Sequence, residues 1–145
     1  YWDGGFSGNP ALYPLIYRTD CRDMLLVQIN PIEHHELPET AGDIMERMNE
    51  VMFNAGLLSE LRAIDFVRRL LAEGRLDATR YKSVLMHRID GGAALSHFGA
   101  ASKSRVDMGF LLKLFALGRA QGQQWVHDHR QDVGVRETLQ IVDNP

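Results

Sequence analysis

Residues 24–30, MLLVQIN, decide the fold, because they form a short apolar run that ends at Pro31. A run of this length and β-branched content suits a buried strand of an α/β sheet better than a helix. Residues 31–39 follow with two prolines and the adjacent His34 and His35, a pattern typical of a polar loop. The sequence therefore predicts a buried strand that leads into a loop.

A long amphipathic helix is predicted for residues 40–73. Thr40 and Asp43 have the spacing of a capping box, in which each side chain bonds a backbone N–H of the other residue, and Gly74 supplies the stop. Gly56 disfavours a helix by roughly 1 kcal/mol against alanine, so it could mark a kink. One apolar stripe is predicted from residues that recur every three or four positions, namely Ile44, Met48, Val51, Ala55, Leu58, Leu61, Ile64, Val67 and Leu71.

The second half of the chain repeats this order. A strand is predicted at residues 83–89, then a glycine-rich connection and an amphipathic helix that ends before Gly134. Ser104 and Asp107 repeat the capping-box spacing at the start of that helix. Strand, helix, strand, helix predicts an α/β architecture with a parallel component. Only two or three strands are predicted, which is too few for a sheet covered on both faces, so we expect the chain to be part of a domain.

Composition narrows the classes of function. The 145 residues fit one domain, and a net charge of −3 without a run of five like charges argues against a nucleic-acid partner. No apolar stretch approaches the ~20 residues that span a bilayer. Cys21 is the only cysteine, which fits a reducing compartment, so the sequence predicts a cytoplasmic protein.

The triplet Asp-Gly-Gly occurs twice, at residues 3–5 and 90–92. The second copy follows a predicted strand and is typical of a turn. The first copy lies in WDGGFSGNPAL, residues 2–12, which resembles the acid motif of bacterial patatin-like phospholipases. Four further stretches are similar to that family in the same order along the chain: residues 26–31, 47–54, 57–62 and 101–104.

The resemblance implies a three-layer patatin-like α/β fold and a serine lipid acyl hydrolase, a phospholipase or esterase that uses a Ser-Asp dyad. Asp3 would then be the base that takes the serine proton directly, and Gly4 and Gly5 would let the backbone turn. Trp2 and Phe6 could line an acyl pocket or simply pack. The resemblance also implies a lipid ester substrate, peripheral contact with a membrane, and no metal or organic cofactor.

One element of that chemistry is missing from the sequence. A nucleophile elbow needs Gly-x-Ser-x-Gly, and no serine here has glycine at both positions. Ser7 comes nearest, with Gly5 two before it but Asn9 two after it. We therefore expect residues 1–145 to be the helix-rich C-terminal part of a patatin-like hydrolase, inactive without its N-terminal part. A non-catalytic helical protein-binding module and an inactive patatin-like scaffold are the alternatives.

Other reactive residues have simpler interpretations. Glu33 to Glu36, with two histidines between them, favour a solvated loop over a metal site. His127 and His129, with Asp128 between them, favour a polar helix end. Cys21 lacks the local signature of a thiol nucleophile. Three methionines at helical spacing are expected as core filler, with a lipid-contact face as the alternative: Met45, Met48 and Met52.

Overall fold

The computed structural model describes residues 1, 3–30, 32, 37–95, 98, 102 and 105–139. Over these residues the chain is mixed α/β, as predicted. The helices are α1 (Tyr13–Arg18), α2 (Ala41–Ala72), α3 (Gly92–Leu95) and α4 (Met108–His129), and the strands are β1 (Asp23–Gln28) and β2 (Leu85–Asp90). Short 3-10 helices lie at Gly4–Phe6 and Arg130–Asp132.

The two strands form a parallel pair in which Asp23 lies opposite Leu85 and Gln28 lies opposite Asp90. This confirms the predicted strands and the parallel component, although both strands differ from the predicted ranges by one or two residues at each end. A parallel pair needs a crossover connection, and α2 supplies it. The sheet is therefore a βαβ unit.

The capping box and the glycine stop predicted for α2 are both present. The Asp43 N–H donates to Thr40 Oγ1 at 3.2 Å, and the Thr40 N–H donates to Asp43 Oδ2 at 2.9 Å. Gly74 has a φ of 68°, the left-handed conformation that glycine adopts without strain. Gly56 does not break the helix, which is continuous from Ala41 to Ala72.

The single apolar stripe predicted for α2 is wrong in its first half. In the second half, Leu57, Leu61 and Ile64 pack on the sheet in a core with Leu12, Met24, Leu26, Val84, Met86 and Leu139. In the first half the buried residues are Glu50 and Asn54. The predicted core residues there are exposed instead: Ile44 is 47% exposed, Met45 58%, Met48 52%, Val51 53% and Met52 58%. The interpretation of the three methionines as core filler is therefore wrong.

Helix geometry explains the error. At about 100° per residue, the buried residues of both halves share one face of α2: Glu50, Asn54, Leu57, Leu61 and Ile64. Ile44, Met48 and Val51 lie roughly 130° around the helix from that face, so they are exposed although the inward face of the first half is buried. The predicted residues do not share one face, because repeated spacings of three residues turn the stripe around the helix.

The last helix, α4, packs on the opposite face of the sheet, where its Trp125 contacts His87 of β2. Asp107 is the N-cap of α4 and accepts the Phe110 N–H at 2.8 Å. The prediction that Asp107 is the N3 residue of a capping box begun by Ser104 is therefore wrong. Ser104 lies outside the described residues. Gly134, with a φ of 79°, follows the short 3-10 helix and confirms the predicted stop. Residues 135–139 then cross to the sheet, where Leu139 enters the core.

Candidate active site

Asp3 is the N-cap of the first 3-10 helix, Gly4–Phe6. Its Oδ1 accepts the Gly5 N–H at 2.8 Å, and the residue is exposed to solvent. The Ser7 N–H and hydroxyl both donate to the Gly4 carbonyl, at 3.0 and 2.9 Å. These bonds fix the direction of the Asp3 carboxylate by a local backbone turn. Ser7 belongs to that turn and not to a strand-to-helix elbow.

Gly5 lies where a side chain would be crowded. A Cβ atom there would be 3.2 Å from Asp3 Oδ1 and 3.2 Å from Cε1 of Phe53 on α2. Gly4 has no such restriction, because its Cβ would meet no atom within 4 Å. Of the two motif glycines, Gly5 is therefore the one that lets the turn lie close to both the carboxylate and the long helix.

Glu60 of α2 holds the segment that follows the turn. Its Oε2 accepts the N–H groups of Leu12 and Tyr13, at 2.6 and 3.1 Å. A carboxylate that accepts the first N–H groups of a helix satisfies donors without intrahelical partners, so Glu60 caps α1. The sequence analysis missed this contact. The only sequence feature that could have indicated this contact is an acidic residue beside the apolar stripe predicted for α2.

The predicted acyl pocket cannot be placed. Trp2 lies outside the described residues, and the structure does not describe the side chain of Phe6. A shallow groove of about 280 Å³ is lined by Arg47, Met48, Val51 and Met52. It lies on the exposed part of α2, and Asp3 does not line it.

The other candidate residues do not form a second reactive site within the part of the chain that the structure describes. The predicted loop with Glu33 and Glu36 lies outside that part. His129 pairs with Asp132 at 3.1 Å, and Asp128 accepts from Gln124 at 2.8 Å. Cys21 is exposed, and its thiol donates to the Asp23 carbonyl at 3.3 Å. Within the described ranges, no three metal-binding side chains are grouped to hold an ion.

A buried histidine that the sequence analysis missed joins distant parts of the chain. His87 of β2 is 1% exposed, with Nε2 3.0 Å from Asp23 Oδ1 and Nδ1 3.0 Å from Thr138 Oγ1. Trp125 of α4 packs edge-on against its ring, with the centroids 5.7 Å apart. Asp23 Oδ1 also accepts the Gly134 N–H at 2.7 Å. Because both ring nitrogens are occupied by protein groups, this cluster ties the C-terminal segment to the sheet.

Two carboxylates on this side of the molecule have lowered pKa values. The Gly134 N–H, and after it the His87 ring, lower the pKa of Asp23. The Arg136 guanidinium, and after it His129, lower the pKa of Asp132. In both cases donors stabilise the charged form of the carboxyl group.

Acid should therefore destabilise the fold through Asp23. Its folded pKa lies below the ordinary value of 3.8. Its stabilising contribution is present above that value and is lost as the pH falls through the folded pKa. We expect the free energy of unfolding to decline below about pH 4, and to decline less steeply in Asp23→Asn. Chemical denaturation at a series of pH values measures both slopes. Equal slopes for Asp23→Asn and the wild type would contradict this assignment.

Among the described residues, no helix has both the length and the apolar character needed to cross a membrane. Comparisons with protein-family models, with curated proteins and with solved structures found no match to this chain. The assignment to the patatin-like family therefore remains a proposal.

Proposed function

We propose that this chain supplies the aspartate base of a patatin-like serine lipid acyl hydrolase, which cleaves carboxylic esters of lipids. The nucleophilic serine would come from protein outside residues 1–145. The proposed enzyme is cytoplasmic and meets its substrate at a membrane surface. The observation that carries the proposal is the exposed Asp3 carboxylate, oriented by the Gly5 N–H at 2.8 Å.

The geometry of Asp3 suits a general base. One oxygen, Oδ1, accepts the backbone N–H of Gly5, and none of the described residues donates a hydrogen bond to the second oxygen, Oδ2. Oδ2 is therefore available to accept a serine proton as the ester carbonyl is attacked. The charge that develops on the carbonyl oxygen needs its own donors, each typically contributing about 3 kcal/mol, which the nucleophile-bearing part would supply.

The sheet offers a place for further strands. The Leu85 N–H donates to the Arg22 carbonyl, so alternate residues of β1, beginning with Met24, direct their backbone groups toward β2. Leu25 and Val27 direct theirs to the other edge. Their side chains lie on the face of the sheet that also carries His87 and are 48% and 69% exposed, so this face is covered only in part. Strands of parallel sheets are usually buried on both faces, so the free edge and the partly covered face both favour a larger sheet that grows beyond β1.

The opposite edge of the pair is partly covered. The N–H groups of Thr138 and Leu139 both donate to the Met86 carbonyl of β2, at 3.0 Å. The open edge therefore lies at β1, which is preceded in the chain by α1 and the Asp3 turn. This asymmetry supports a three-layer fold in which an added strand-and-elbow element pairs with the βαβ unit.

A fluorophosphonate probe tests the proposal. We expect it to label one serine, in a Gly-x-Ser-x-Gly sequence, when the protein is produced with the coding sequence that precedes residue 1. Peptide mass spectrometry identifies the labelled residue, and the chain of residues 1–145 alone should stay unlabelled. Labelling of Ser7, or no labelled serine in the longer protein, would contradict the proposal.

The exposed first half of α2 favours one other candidate function, a non-catalytic helical protein-binding module. Its residues Ile44, Met48 and Val51 present an apolar face without requiring any chemistry at Asp3. The same labelling experiment separates the two functions, because a binding module has no activated serine.

A further inference from the structure

We propose that Glu60 is a positioning residue for Asp3. It holds the segment of residues 3–13 on α2, and so it fixes where the Asp3 carboxylate lies in the molecule. This inference rests on the proposed function, since it concerns the same carboxylate. We define the α2 platform as Phe53, Gly56 and Glu60, which contact this segment from the helix. All three lie outside the Asp-Gly-Gly motif.

The local turn alone does not place Asp3 in the fold. The Gly5 N–H, at 2.8 Å, fixes the carboxylate only relative to the turn to which both residues belong. Asp3 is exposed, so burial of its side chain does not hold it. A general base must lie within hydrogen-bond reach of the proton that it accepts. The position of the whole turn on the βαβ unit therefore has to be set by other contacts.

The α2 platform is a separate face of the helix. Its residues follow one another at intervals of three and four positions, which places them within roughly 60° around the helix axis. They lie roughly 75° from the face that Leu57, Leu61 and Ile64 present to the core. The helix therefore packs one face on the sheet and another against the segment that carries Asp3.

Two residues of the platform contact the turn itself. A Cβ atom on Gly5 would lie 3.2 Å from Cε1 of Phe53. A Cβ atom on Gly56 would lie 3.8 Å from the Cα atom of Gly8. The Gly8 N–H donates to the Gly4 carbonyl at 3.1 Å, so the parts of the chain that meet α2 belong to one hydrogen-bonded turn.

Glu60 holds the other end of the segment. Its Oε2 accepts the N–H groups of Leu12 and Tyr13, at 2.6 and 3.1 Å. Leu12 is 4% exposed, so loss of the carboxylate would leave a poorly hydrated backbone donor without its acceptor. The segment would have to shift toward water to satisfy that donor, and the turn with Asp3 would shift with it.

Replacing Glu60 with alanine should lower kcat about tenfold to 100-fold with little change in KM, because catalysis is this sensitive to a displacement of about 1 Å. The experiment uses the protein produced with the coding sequence that precedes residue 1 and a 4-nitrophenyl ester. Rates are expressed per serine labelled by the fluorophosphonate, so that unfolded protein does not contribute.

Two variants control for the loss of charge and of side chain. Glu60→Gln keeps an oxygen that can accept both N–H groups, so its kcat should stay within about threefold of the wild type. Glu73→Ala removes an exposed carboxylate at the end of α2, where it pairs with Arg75, and should leave kcat unchanged. Equal losses in Glu60→Ala and Glu60→Gln would overturn the inference, because only glutamine retains the accepting oxygen.

The Asp3→Asn variant separates this inference from the proposed function. If Asp3→Asn loses turnover while Glu60→Ala keeps it within about twofold, Glu60 is only a helix cap and the inference is overturned. If both variants keep their turnover, the proposed function fails as well.

Gly56 gives a test that leaves both hydrogen bonds of Glu60 in place. Gly56→Ala adds a methyl group at ordinary contact distance from Gly8 and should keep the wild-type kcat. Gly56→Leu adds further carbon atoms, which should push the turn away from α2 and lower kcat as Glu60→Ala does. Equal turnover of the two Gly56 variants would overturn the role of the platform.

Hydrogen exchange measured by mass spectrometry follows the turn without any catalysis. In Glu60→Ala, faster exchange should extend beyond Leu12 and Tyr13 to the amides of Ser7 and Gly8, whereas Glu73→Ala should exchange like the wild type. Faster exchange confined to α1 and Leu12 would show that Glu60 caps a helix without holding the turn, and would overturn the inference.

Discussion

Replacing Asp3 with asparagine should lower the rate of ester hydrolysis by about 10²–10⁴-fold, the usual contribution of a general base. The experiment uses the protein that contains both Asp3 and the proposed nucleophile, with a 4-nitrophenyl ester as substrate. Asparagine has nearly the same volume, and its side-chain oxygen can still accept the Gly5 N–H that Oδ1 of Asp3 accepts at 2.8 Å. The turn should therefore be preserved while the basic oxygen is lost.

The effect should appear in kcat with little change in KM, because the carboxylate acts on the serine proton and not on bound substrate. Asp20→Asn is the matched control. Asp20 is also exposed and lies outside any helix or strand, between α1 and β1, so its replacement should leave kcat unchanged. Turnover of Asp3→Asn within about twofold of the wild type would show that Asp3 is not the base.

The sequence predicts the βαβ unit because its signals are local. The apolar run that ends at Pro31 gives β1, the Thr40 and Asp43 spacing gives the start of α2, and Gly74 gives its end. Each of these features is determined by residues within a few positions of one another, and each is present in the structure. The parallel pairing of β1 and β2 then follows from the intervening helix.

The burial of α2 could not be predicted in the same way. Met48 and Leu61 both belong to the sequence pattern of apolar residues, but they lie roughly 140° apart around the helix axis. Which face packs on the sheet is decided by contacts between distant residues, and it is the face of Leu61, which Glu50 and Asn54 continue into the first half. Leu61 is therefore buried and Met48 half-exposed.

The same distinction between local and distant contacts applies to the candidate site. Asp3 and its glycines are adjacent in sequence, so a motif can identify them. The contacts that hold this region, such as Glu60 with Leu12, and the tether of His87 to Asp23 and Thr138, join residues separated by 48 to 64 positions. A single histidine within a predicted strand carries no pattern that indicates such partners.

Replacing His87 with alanine should reduce the free energy of unfolding by about 4 kcal/mol, which is large beside the roughly 5–15 kcal/mol of a typical domain. The substitution removes a ring that is 1% exposed and packs on Trp125. It also leaves Asp23 and Thr138 without the partner that each contacts at 3.0 Å. Urea denaturation followed by circular dichroism measures the loss.

Two further variants separate burial from hydrogen bonding. Thr138→Val keeps the shape of the side chain but removes the hydroxyl that contacts Nδ1 of His87, so it should lower the free energy of unfolding by about 1 kcal/mol. His127→Ala changes an exposed histidine of α4 and should stay within about 0.5 kcal/mol of the wild type. If His87→Ala cost no more than His127→Ala, the ring would not be the tether. If His87 holds the C-terminal segment on the sheet, the amides of Thr138 and Leu139 should exchange faster in His87→Ala. Their hydrogen bonds to the Met86 carbonyl depend on that segment staying in place.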